Sequence, residues 1–104
     1  MTTATRGALT TAMSKVTVWI PPALREFVAG AEELSIEAES VAGALAAVGD
    51  RHAGFLNRVL SPGGQVRPLV NVFVDEDNIR DLDGLQTPLA DGHSVAIIPA
   101  IAGG

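Results

Sequence analysis

A single stretch of helical period stands among several stretches of strand period, and that imbalance constrains the fold more than any other feature. Ser40 offers an N-cap, and Val41, Ala44, Leu45 and Val48 follow at the spacing of one helix face. The spacing predicts a helix over about 41–52, roughly 18 Å long, with Gly54 as its C′ residue. Gly43 and Gly49 weaken it by up to ~1 kcal/mol each relative to alanine, so packing on a sheet must hold it. Around it the chain reads as strands. Lys15-Val16-Thr17-Val18-Trp19-Ile20 is β-branched and aromatic and ends at Pro21-Pro22. Residues 23–28, between that proline pair and Gly30, read as a loop or short turn.

Residues 32–38 alternate, with Leu34, Ile36 and Ala38 apolar between Glu33, Ser35, Glu37 and Glu39, as a half-buried strand paired to the first does. After the helix, 55–60 reads as a second short helical piece closed by Ser61-Pro62-Gly63-Gly64. Leu69–Val74 is apolar nearly throughout and is expected to be a central strand. Asp75-Glu76-Asp77-Asn78 is a turn, Ile79-Arg80 a brief strand, residues 81–92 a loop, and Val95–Ile98 the last strand. One main helix for four to five strands predicts an α+β fold, a mixed sheet wrapped over that helix in the manner of a β-grasp.

A length of 104 residues implies one domain with a single modest core. The expected boundaries are an N-terminal extension over 1–14, Thr/Ala-rich and without periodicity, a globular domain over 15–99, and a mobile tail over 100–104. A net charge of −5 argues against nucleic acid and anionic membrane as partners. No apolar run approaches the ~20 residues of a membrane span, and residues 1–14 lack the apolar segment of a secretory signal, so the expectation is a cytoplasmic protein. The chain has no cysteine, which removes disulfides, thiolate metal sites and thiol catalysis. His52 and His93 lack metal-ligand spacing, so no metal site is expected. Arg80 stands where a calcium loop starting at Asp75 needs glycine. No arrangement of residues suggests a catalyst acting by itself.

The chain ends Pro99-Ala100-Ile101-Ala102-Gly103-Gly104. Two residues without Cβ make the thinnest tail a polypeptide has, able to enter a narrow slot and present a carboxylate there. Pro99 limits ladder pairing at the end of its strand. Ala100–Gly104 is therefore expected to project, with a reach of at most ~17 Å.

Several segments together resemble a known family. They are Leu24-Arg25-Glu26, Val70-Asn71-Val72-Phe73-Val74-Asp75-Glu76-Asp77-Asn78-Ile79-Arg80, Gly84-Leu85-Gln86-Thr87-Pro88-Leu89-Ala90-Asp91-Gly92, and Val95–Gly104. They resemble the ThiS/MoaD sulfur-carrier family over about 14–104, and within it the carriers of protein-dependent cysteine synthesis. The resemblance implies that an E1-like partner adenylates the Gly104 carboxylate at the expense of ATP. Sulfur then displaces AMP to leave a thiocarboxylate, which a downstream sulfur-accepting synthase consumes. No stably bound cofactor is implied. Gly104 is the reactive residue and Gly103 its companion. As the chain stands no maturation cleavage is needed, and no internal thiol competes for the activated end.

Arg25 falls where the family places a basic contact to the activating enzyme. Period two puts Phe73 with Leu69 and Asn71, opposite the valines, so Phe73 is a docking hydrophobe if the valines face the helix. Pro99, Ala100, Ile101 and Ala102 are expected partner contacts, whereas Ile98 reads as core. Two alternatives share the tail: the small subunit of molybdopterin synthase, and a ubiquitin-like modifier conjugated to lysines. Lys15 is the only lysine in the chain.

Overall fold

The computed structural model describes residues 13–99. The order is β1 (Ser14–Trp19), a 3-10 helix (Pro22–Val28), β2 (Glu33–Ala38), α1 (Val41–Arg51), α2 (Phe55–Val59), β3 (Val70–Val74) and β4 (Asp77–Asn78). Two 3-10 turns (Ile79–Asp81 and Gly84–Gln86) and β5 (Ser94–Pro99) complete it. The five strands form one mixed sheet in the order β2-β1-β5-β3-β4, with β1 and β5 parallel and the other neighbours antiparallel. Helix α1 lies across one face. The architecture is the β-grasp expected from one helix among several strands.

Period two fixes which face each strand buries. Val16 and Val18, Ile36 and Ala38, Val70, Val72 and Val74, and Val95 and Ile97 all point inward. There they meet Val41, Ala44, Leu45 and Val48 of α1 together with Phe55 and Val59 of α2. The Ser40 hydroxyl accepts the Gly43 N–H at 3.1 Å, capping α1 as its position predicts. The loop after β4 straps the start of the helix, with Val41 N–H donating to the Thr87 carbonyl and Leu89 N–H to that of Glu39. Thr87 is buried, and its hydroxyl donates to the Gly84 carbonyl at 2.7 Å.

Several expectations shift. Ser14, counted in the extension, is already in β1 and donates its hydroxyl to the Leu89 carbonyl. Residues 23–28 belong to a 3-10 helix, because Pro22 needs no N–H in a first turn and Leu24 and Val28 both reach the core. Gly54 does not end α1, whose last cap is His52. With φ near +90° it instead starts α2, where a Cβ would lie 3.4 Å from the Phe27 ring. The brief strand is Asp77–Asn78, and Ile79 turns inward in a 3-10 turn that the Asn78 side chain caps at Arg80 N–H.

The centre of the sheet belongs to β5, not β3. In β3 only the valines are buried, while Asn71 and Phe73 are half-buried, so its apolar run reflects one covered face and not two.

Candidate functional site

The face of the sheet turned away from α1 carries the second phase of each strand. It presents Lys15, Thr17 and Trp19 from β1, Ser94, Ala96 and Ile98 from β5, and Asn71 and Phe73 from β3. Register sets Trp19 beside Ala96 and Ala96 beside Phe73, so one row across three strands is apolar. Phe73 therefore lies where its alternation with the valines placed it, half-buried on the outer face. Ile98 joins this patch at 41% exposed. That corrects its reading as core: Ile97 takes the inward phase and is fully buried, and two successive isoleucines cannot share a face.

At the end of β1 the patch deepens into a groove of about 310 Å³ lined by Trp19, Pro21, Pro22, Ala23, Ile98 and Pro99. Its walls come from the end of β5 and from the chain leaving β1, because β5 runs on past Trp19 while Pro21-Pro22 turns β1 away. Pro99 is the last strand residue, registered opposite Val70, so the groove lies at the end of β5.

Arg25 stands on this rim. Its Nε donates to the Ile20 carbonyl at 2.9 Å, and its guanidinium carbon lies 5.7 Å from the centre of the Trp19 ring, within cation–π range. On the other side, Arg80 donates to the Val70 carbonyl at 3.1 Å and to Asn71 Oδ1. Two guanidiniums thus flank the end of β5, each oriented by a backbone carbonyl, on a chain of net charge −5.

The structure brings together Arg25 and Pro99 around the groove, with Phe73 two strands from Trp19 on the same face. Ala100, Ile101, Ala102, Gly103 and Gly104 lie outside the described residues. Trp19, the proline pair, Ile98 and Arg80 are site residues that sequence reading missed. Period two in β1 carried the signal for Trp19, opposite in phase to Val16 and Val18. Nothing local signals the groove, which needs the β1–β5 pairing.

The histidines serve turns. His52 caps α1, and His93 Nδ1 accepts the Ala90 N–H at 3.0 Å with Nε2 3.8 Å from Asp75 Oδ2. Among the described residues no group of three His, Cys, Asp or Glu side chains is placed to hold a metal ion, and no helix is long and apolar enough to cross a membrane.

This geometry has relatives. The chain is 34% identical over 91 residues to the sulfur carrier protein CysO of Mycobacterium tuberculosis, covering 86% of this chain and 98% of that one. It superposes with a TM-score of 0.80 and 32% identity on a chain in the crystal structure of the Amycolatopsis orientalis BexX/CysO complex. That match covers 86% of this chain and 99% of the other. The solution structure of small archaeal modifier protein 1 from Methanosarcina acetivorans matches with a TM-score of 0.77 at 30% identity, over 88% and 98% of the two chains. The model of the ThiS family matches residues 18–104. By sequence over nearly the whole domain and by the β-grasp built on it, the chain belongs to the ThiS family.

Proposed function

We propose that the protein is a sulfur carrier whose reactive group is the carboxylate of Gly104. The observation that carries this reading is the apolar outer face with its groove and Arg25, set where the chain leaves β5 toward Gly103-Gly104. A docking face placed there lets a partner hold the domain while the tail enters its active site. The full-length likeness to a protein named as a sulfur carrier supports the same reading.

The chemistry follows from the carboxylate's poor reactivity. Its oxygen attacks the α-phosphate of ATP in an E1-like partner, releasing pyrophosphate and leaving an acyl adenylate. Sulfide then attacks the acyl carbon and displaces AMP, leaving the terminus a thiocarboxylate with loss of a proton. Tethered to the domain, that sulfur is delivered by docking to a sulfur-accepting synthase and not as free sulfide. Cysteine synthesis is the favoured destination, as the resemblance of Val70–Arg80 and Val95–Gly104 to the carriers of that pathway implies. The protein is thus a co-substrate and holds no cofactor; the ATP is the partner's. We place this cycle in the cytoplasm.

Intact mass after incubation with ATP and sulfide in host lysate tests the reading. Replacement of one oxygen by sulfur, absent when Gly104 is deleted, is the expected result. An unmodified mass in a lysate that loads another carrier would sink it. A second reading, conjugation to lysines, draws on the likeness to small archaeal modifier proteins. Isopeptide adducts in cells that vanish on deleting Gly104 would favour it.

A further inference from the structure

We infer that the free edge of β2 is a docking site for an extended strand of another protein, one with basic side chains at its two ends and apolar residues between.

The sheet order leaves β2 at one end and β4 at the other. Strand β4 is two residues long and gives way at once to a 3-10 turn, whereas β2 runs for six residues from Glu33 to Ala38. A very short edge offers no template for pairing, and a longer one does. Ile20 N–H donates to the Glu32 carbonyl, which makes these two a hydrogen-bonded pair. The register continues without a break to Ser14 opposite Ala38, so every second pair has the same character. Leu34, Ile36 and Ala38 therefore bond to β1. The N–H and C=O groups of Glu33, Ser35 and Glu37 point the other way, and among the described residues they have no hydrogen-bond partner.

A cleft of about 450 Å³ runs along this edge. Ser35, Ile36 and Glu37 line it from β2, and Ala47 and Arg51 line it from α1. A strand laid there turns alternate side chains onto the flank of the helix.

Charge selects the occupant. Glu32, Glu33, Glu37 and Glu39 are all exposed, and among the described residues none of them is in an ion pair. No basic residue stands between Arg25 and Arg51. Strand β1 shows what β2 accepts across a ladder: Lys15 stands opposite Glu37 and Thr17 opposite Ser35, with Val16 and Val18 in the alternate phase. The open edge fits the same pattern, with basic residues opposite Glu37 and Glu33, a small polar one opposite Ser35, and apolar ones between them facing α1. A second copy of the chain does not fit. Antiparallel pairing of two β2 strands about Ser35 sets Glu33 of each copy against Glu37 of the other, like charges directly across the ladder.

The cleft lies by the start of β1, which contributes Lys15 to it, and the apolar groove lies at the end of the same strand. A strand held in the cleft leaves the groove uncovered. The domain can then be held at one edge while its outer face is in use.

The test titrates the 15N-labelled 104-residue chain with a macrocyclic hairpin peptide whose outer strand reads Lys-Val-Thr-Val-Lys. The ring orders the strand in advance, so that the entropy of ordering does not hide a real site. The expected result is saturable binding at about millimolar concentration or below. The largest amide shifts should fall at Glu33, Ser35, Glu37 and Ala47, with slowed amide exchange at the first three. Replacing both lysines of the peptide by glutamate should weaken binding by about tenfold or more at low salt. N-methylation of its central threonine should weaken it likewise. Glu33→Lys combined with Glu37→Lys should reverse the preference between the two peptides. Ser35→Pro removes the central edge N–H without touching a bond to β1, and should abolish binding in a chain that circular dichroism shows to be folded. If that variant unfolds, the double charge reversal decides.

The absence of saturable binding overturns the proposal, and so does equal affinity for the lysine and glutamate peptides. Shifts centred on Trp19, Ala96 and Phe73 do the same. Binding that appears only after residues 1–12 are removed would make those residues the occupant of the edge. A dimer whose formation slows exchange at Glu33, Ser35 and Glu37 would make a second copy the occupant, and either outcome ends the proposal. Sulfur loading plays no part in these measurements, so the carrier reading and this site stand or fall separately.

Discussion

Arg25 is held from two sides, by the Ile20 carbonyl and by the Trp19 ring, and this fixes where its charge is offered. Reversing that charge should act on recognition more than on folding. We expect Arg25→Glu to lower kcat/KM for adenylation by about tenfold or more, the scale of a lost charged contact at an interface. Its own lost hydrogen bond should cost about 1 kcal/mol in stability. An unchanged adenylation rate would take Arg25 out of the interface. Phe73→Ser tests the other end of the patch. Because Phe73 is half-buried on the outer face, the expected outcome is weakened partner binding with a small change in Tm. A collapse of Tm would show that its packing matters more than its docking. At this scale the outward face of Phe73 was legible because three valines mark the opposite phase. Ile98 was not, since in Ile97-Ile98 composition is equal and only the strand's phase tells inside from outside.

Two glycines of α1 show how an element depends on its neighbours. At Gly43 an added Cβ would meet Ser40 Oγ at 3.5 Å and Ala38 Cβ at 3.6 Å, ordinary contacts. At Gly49 it would lie 2.6 Å from both Cγ and Cδ1 of Leu56, which packs there from α2. Helix propensity alone predicts a gain of up to ~1 kcal/mol at either site. We expect Gly43→Ala to keep part of that gain and Gly49→Ala to destabilise, by about 1–3 kcal/mol as overpacking does. Thermal unfolding of both variants checks the opposite signs, and Leu56→Ala in the Gly49→Ala background should recover part of the loss. The helix itself was legible from Ser40 and the spacing of Val41, Ala44, Leu45 and Val48. The need for Gly49 was not, because it arises from the approach of a second element.

For the whole molecule, sulfur loading and the stability of the domain are expected to be separable. Deleting Gly104, or extending the chain by one bulky residue, should abolish sulfur loading while leaving Tm unchanged, and intact mass beside thermal unfolding reads both. Loading that survives either change would end the proposed mechanism. Leu45→Ala should do the reverse, since Leu45 is fully buried beneath the sheet and such truncations cost about 2–5 kcal/mol. Loading per folded molecule should persist. The sequence by itself determined the kind and most of the extent of β1, β2, α1, α2, β3 and β5, the alternation of faces in β2 and β3, the cap of α1 and the Gly-Gly end. These depend on period, turn chemistry and side-chain type within a few residues. The tertiary structure decided that β5 and not β3 holds the centre, that Ile98 faces outward, and that Trp19, Pro21, Pro22 and Pro99 enclose one groove beside Arg25. Those facts follow from pairing the first strand with the last. That pairing joins residues far apart in the chain, and its free energy comes from burying both strands against α1, so no local pattern can encode it.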